Sequence, residues 1–186
     1  TRFSPAVMRA GGPPPLRDPT DIRSPSHWCN EAQVASVLQA NQLVELTVKG
    51  IAVGQSVGAK FVLENPEFSM LWSWPSISEI LISTGAAKIT THYCCWLNMN
   101  ETPTERPWLK PTSLAGTLPG HAGLSRRCSP VAHCRIHGVP HQTLKGKLDD
   151  VWWTRLAEPY PAALCAAVVA LYRDLLALGG ARSSAD

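Results

Sequence analysis

Charge is scarce in this chain. Only 17% of its residues are Asp, Glu, Lys or Arg, against roughly 25% in ordinary soluble domains. The net charge of +3 is too small to demand a polyanionic partner by itself. Long apolar runs are missing as well. No stretch approaches the about 20 residues of a membrane-spanning helix, and no apolar stretch near Thr1 has the form of a secretory leader. These absences predict an intracellular protein, nuclear or cytoplasmic rather than secreted, with no membrane partner. No internal repeat is visible, which sets repeat architectures aside. The six cysteines, at 29, 94, 95, 128, 134 and 165, do not form a spaced framework. Adjacent Cys94 and Cys95 do not pair with each other, and without a leader all six read as reduced thiols.

Apolar and ring-bearing residues are plentiful: 45% hydrophobic residues in a chain of 186, with 16 Pro and 7 Trp. That is enough for the core of one domain. The first residue is Thr1 rather than Met, which suggests a fragment or a processed product.

Punctuation along the chain divides it into three parts. Residues 1–26 carry six prolines and adjacent Gly11-Gly12 and little apolar periodicity, so they predict a Pro-rich mobile arm. Residues 27–178 predict an α/β domain, and 179–186 a disordered tail. Asn30 followed by Gln33 is a capping-box pattern that starts a helix. Its expected inner stripe is Val34, Val37, Leu38, Leu43, Leu46 and Ile51. Phe61 to Leu63 predicts a buried strand, and Phe68 to Trp74 a short helix stopped at Pro75. Ser76 with Glu79 predicts a second capping box, heading a helix through Ser83 with Ile77, Ile80 and Leu81 inside and Gly85 as its stop. Lys88 to Tyr93, rich in β-branched residues, predicts the next strand. Strand, helix, strand in this span is a βαβ unit with parallel strands. Residues 98–120, with Pro103, Pro107, Pro111 and Pro119, predict a long loop. A short strand pair is expected around Gly146. A last helix, opened by Pro159 or Pro161, runs from Ala162 to Leu178, packs on the sheet, and is ended by Gly179 and Gly180.

Chemistry concentrates in two places. The first is the run Phe61-Val62-Leu63-Glu64-Asn65-Pro66. A strand that ends in a carboxylate, an amide and a proline puts Glu64 and Asn65 where open α/β sheets bind ligands, or makes them caps of the next helix. Trp72 and Trp74 flank this turn and are read as core residues before stacking platforms. Of Trp152 and Trp153, one is expected inside. The second place is Cys128, Cys134, His137 and His141, with His133 among them. Four soft or borderline ligands within so short a stretch can enclose a tetrahedral zinc ion, or they are thiols and loop histidines. Around them, Arg126 to Lys147 holds five Arg or Lys, three His and no acid. Such a stretch can meet phosphates, Arg126 and Arg127 included, or be a solvated basic face.

The Glu64-Asn65-Pro66 turn, followed by Ser69, Leu71-Trp72 and Pro75, resembles the ENV/ENP segment of cytosine-C5 DNA methyltransferases, most closely a divergent phage-like and retroelement-like branch. Other segments follow in the same order. Phe3-Ser4 through Gly11 to Arg17 resembles the loop after the family's Pro-Cys motif. Thr91-His92-Tyr93-Cys94 resembles its strand ending in Tyr-Cys, and Trp108-Leu109-Lys110-Pro111-Thr112 its W-x-K-x-T segment. Cys128 with His133 and His137 is similar to its C-then-H-x-H cluster, and Trp153 to Cys165 to its closing segment. The resemblance covers most of the chain and implies a partial, mostly parallel Rossmann-like methyltransferase sheet with flanking helices. It implies that Glu64 holds a flipped-out cytosine through N3 and the exocyclic amine, that Asn65 orients the turn, and that Lys110 and Thr112 approach the base or the DNA backbone. The methyl donor it implies is S-adenosylmethionine, bound by the complete protein, and the partner is DNA. The family's Gly-rich cofactor segment, Pro-Cys nucleophile loop and basic Q-x-R-x-R segment do not occur in this sequence. The resemblance therefore implies the base-binding second half of a catalytic domain, inactive alone, with the missing N-terminal half as its partner; strand edges left exposed without that half favour self-association. The alternatives are a non-enzymatic nucleic-acid-binding module, with or without a stabilising zinc, and a decayed mobile-element remnant.

Overall fold

The computed structural model describes residue 3 and residues 14–18, 20–129 and 133–183, with side chains of the last helix through residue 178. The fold is mixed α/β. Among the described residues, no helix is long and apolar enough to cross a membrane. The chain forms two compact units, Thr1–Ala87 with Ala115–Thr117, and Lys88–Leu114 with Leu118–Asp186.

In the first unit, helix α1 spans Glu31–Ser56. Asn30 Oδ1 accepts from the Gln33 N–H at 2.9 Å and Gln33 Oε1 accepts from the Asn30 N–H at 3.0 Å, which is the expected capping box. The buried face is Val37, Ala40, Val44 and Ile51. Leu38, Leu43 and Leu46, expected inside, are exposed. The expected stripe drifts around the helix, whereas positions three and four apart stay on one line. Strand β1 is Val62–Pro66. A 3₁₀ turn over Met70–Ser73 follows, capped by the Ser69 hydroxyl, and then helix α2, Pro75–Ser83. The capping box expected from Ser76 and Glu79 does not form. Pro75 takes the first helical position, where its missing N–H costs nothing, and Ser76 Oγ donates to Glu45 Oε1 at 3.2 Å. Val44, Leu71, Trp74 and Ile77 make the core, with Phe3, Ile22 and Leu63 packed around it.

The second half of the expected mobile arm is folded back on itself. Arg17 and Pro25 form an antiparallel bridge, and the Ser26 N–H donates to Leu16 O at 2.9 Å. The rest of that arm, Phe3 apart, lies outside the described residues. Arg17 is buried, its guanidinium 4.0 Å from the Phe3 ring centroid and bonded to Ile22 O and Asn41 Oδ1.

Strand β2 is Ala87–His92 and strand β3 is Pro111–Gly116, and the sheet order is β1-β3-β2. The strand-helix-strand run is thus present, but β3 lies between its two strands. Residues 98–120, expected as a long loop, supply that strand. In the first unit the Thr117 N–H donates to Phe61 O at 3.0 Å, and a Cβ on Gly116 would stand 2.1 Å from the same oxygen.

In the second unit, β2 runs into a 3₁₀ turn, Tyr93–Cys95. Strands β4 (Lys147–Leu148) and β5 (Val151–Trp152) pair antiparallel with Leu148 opposite Val151. The expected strand pair is present but turns at Asp149-Asp150, with φ of 46° and 63°, instead of at Gly146. Aspartate tolerates the left-handed angles such two-residue turns need. Short helix α3 is Trp153–Leu156, with Trp153 buried and Trp152 exposed. Helix α4, Ala162–Ser183, continues through Gly179 and Gly180, where a stop was expected. It packs against the 3₁₀ turn His121–Leu124, and residues 184–186 of the expected tail lie outside the described residues.

Candidate metal centre

The second unit brings Cys94, Cys128, Cys134 and His141 together. Their ligand atoms all lie within 4.8 Å of one another. Three separate segments supply them. Cys94 sits in the turn after β2, whose end is tied to the stretch before Cys128 by the His92 N–H donating to Arg126 O at 2.8 Å. The Cys128 N–H in turn donates to His92 Nδ1 at 3.0 Å. Cys134 opens a tight loop. Its N–H donates to Val139 O and its carbonyl accepts from the Gly138 N–H, both at 2.8 Å. Gly138 has φ of 68°, a backbone conformation that favours glycine. A bridge between His133 and Pro140 closes the loop and delivers His141 beside Cys134.

The sulfurs are deeply buried, with Cys94 0%, Cys128 2% and Cys134 1% exposed, and His141 is half-buried. Cys128 Sγ and Cys134 Sγ are 3.9 Å apart. That is far longer than a disulfide of about 2.05 Å, and all six cysteines are free thiols. The Arg135 N–H points at Cys128 Sγ at 3.2 Å. Burial pushes the Cys94 thiol far above its ordinary pKa, and the neighbouring thiols of Cys95, Cys134 and Cys128 add to the shift. Cys95 is raised as well, chiefly by burial. A buried group of thiols resists ionisation until a cation joins it. The arrangement is a Cys3His cluster able to hold a metal ion.

The ligand set differs in one member from the one the sequence spacing predicts. Cys128, Cys134 and His141 are in it, but His137 is not: its Nε2 lies 3.0 Å from the Cys94 carbonyl oxygen. Cys94 takes the fourth place. Its sequence signal was the Cys94-Cys95 pair at the end of a predicted strand, too far from Cys128 for any spacing rule to connect them.

The other predicted site residues are distributed between the units. Glu64 and Asn65 lie in β1 of the first unit, both half-buried. Asn65 borders a cavity of about 470 Å³, whose walls include Leu43, Val44, Leu63 and Leu71. Lys110 and Thr112 belong to the second unit. Lys110 Nζ donates to Ala157 O at 2.6 Å and sits 4.4 Å from the Tyr93 ring centroid, while Thr112 is fully buried in β3. Arg126 and Arg127 are exposed, and the Arg126 guanidinium lies 3.8 Å over the Trp96 ring. No protein-family model, curated protein or solved structure matches this chain.

Proposed function

We propose that the chain holds a nucleic-acid base, as the second half of a cytosine-C5 methyltransferase domain. The observation that supports this is the half-buried Glu64-Asn65-Pro66 end of β1. The Glu64 carboxyl would pair with N3 and the exocyclic amine of a cytosine taken out of its stack. In the second unit, Lys110 would exchange its bond to Ala157 O for a contact to the DNA backbone. The three strands would be part of a larger, mostly parallel Rossmann-like sheet, completed by an N-terminal half that carries S-adenosylmethionine and the nucleophilic cysteine.

Binding tests this without catalysis. Fluorescence anisotropy would compare a duplex bearing one unpaired cytosine with the same duplex abasic at that position. The cytosine duplex should bind more tightly by about 1–3 kcal/mol, the worth of a good bidentate base contact. Glu64→Ala should erase most of the difference while leaving affinity for the abasic duplex unchanged. Equal affinity of the unsubstituted chain for both duplexes would sink the reading.

A second reading is a non-enzymatic nucleic-acid-binding module stabilised by zinc. The Cys3His cluster supports it, together with the acid-free basic stretch from Arg126 to Lys147. Affinity would then fall steeply with salt and ignore the unpaired cytosine.

A further inference from the structure

We propose that Cys94, Cys128, Cys134 and His141 bind one zinc ion as a closed, structural site. The inference takes up the zinc of the second reading and rests on that half alone, since it requires no nucleic acid. Three thiolates and one imidazole form a ligand set that suits zinc, and four protein ligands leave no open position for catalysis. Zinc–sulfur bonds of about 2.3 Å in a tetrahedron place neighbouring sulfurs about 3.8 Å apart. Cys128 Sγ and Cys134 Sγ stand at 3.9 Å, and the remaining ligand atoms need only a short inward movement from separations of at most 4.8 Å.

The surroundings support the ligands as metal sites require. The Arg135 N–H faces Cys128 Sγ, and His92 holds the Cys128 backbone. The alternative is a small apolar cluster of reduced thiols, and Cys95 and Leu109 do pack against these cysteines. Packing alone asks nothing of His141. A convergent imidazole with three convergent sulfurs, gathered from three segments, is what coordination asks for. The zinc clasps those segments together, so the loop from Cys128 to His141 is held by metal as well as by its own hydrogen bonds.

The full chain would be purified without chelator, and its zinc measured by mass spectrometry and by release to a colorimetric chelator after thiol modification. One zinc per chain is expected. Cobalt substitution should give the visible bands and near-ultraviolet charge transfer of a tetrahedral thiolate site. Cys94→Ser and His141→Ala should reduce bound zinc from one towards zero, whereas Cys95→Ser and His137→Ala should keep it near one. Absence of zinc from the unsubstituted chain, after refolding in excess zinc, would overturn the site, and this readout does not depend on any variant folding. Retention by Cys94→Ser with loss in His137→Ala would overturn the ligand assignment. Duplex binding is measured separately, so its failure leaves this result untouched.

Discussion

Arg17 has a full charge at 1% exposure, and its surroundings show how one side chain can organise a unit. Its flat guanidinium lies over Phe3 and Trp74 while its edge donates to Ile22 O and Asn41 Oδ1. Burial draws its pKa down to about 10, still far above neutral, so the charge persists. A lysine has the charge without the plane or the fork. Arg17→Lys should therefore destabilise the first unit by about 1–3 kcal/mol, the range for losing hydrogen bonds to a charged group, and urea denaturation would read the shift. An unchanged midpoint would mean that the stack and fork contribute nothing. Nothing in the Pro-rich sequence around Arg17 announces this role, because its partners at 3, 41 and 74 are brought to it only by folding. Cys94 joins its cluster unannounced for the same reason.

At the scale of elements, local signals read true where the chemistry is local. The Asn30–Gln33 box starts α1 as predicted because both partners lie within one turn. At α2, two local signals competed, and Pro75 displaced the box at Ser76 because its ring already has the helical φ and no N–H to satisfy. The prolines within 98–120 predict a loop where strand β3 stands. Pro111 in fact stands at the first residue of the strand, where a missing donor is tolerated. The close approach of Gly116 to Phe61 O is the element-scale feature most open to test. Gly116→Ala must push one backbone segment from the other, and should cost about 1–3 kcal/mol as an overpacked core substitution does. Wild-type thermal stability in this variant would show that the two segments separate freely.

For the whole molecule, the division into two compact units gives zinc removal a local signature. Arg126, Arg127, Arg135, Lys145 and Lys147 are exposed around the Cys3His loop, and Arg23, Lys49 and Lys60 lie in the first unit. If metal clasps the second unit, chelation should accelerate tryptic cleavage within 126–147 many-fold and leave cleavage at the first-unit sites nearly unchanged, because metal binding is folding free energy for the segment it ties down. Mass spectrometry of the early fragments would follow this. Equal acceleration in both units would argue against a local clasp.

What the sequence determined alone were features whose causes sit within a few residues: the start of α1, the presence of strands β1 and β2, the hairpin before Trp153, and three of the four clustered ligands. Capping, periodicity and turn preference act over one or two turns of chain, so they can be read without coordinates. Tertiary structure decided the rest. It put β3 between β1 and β2, brought Cys94 into the cluster in place of His137, and buried Arg17 among aromatic rings. Each of these joins residues far apart in the chain, and such contacts are selected by the fit of whole surfaces rather than by any local pattern.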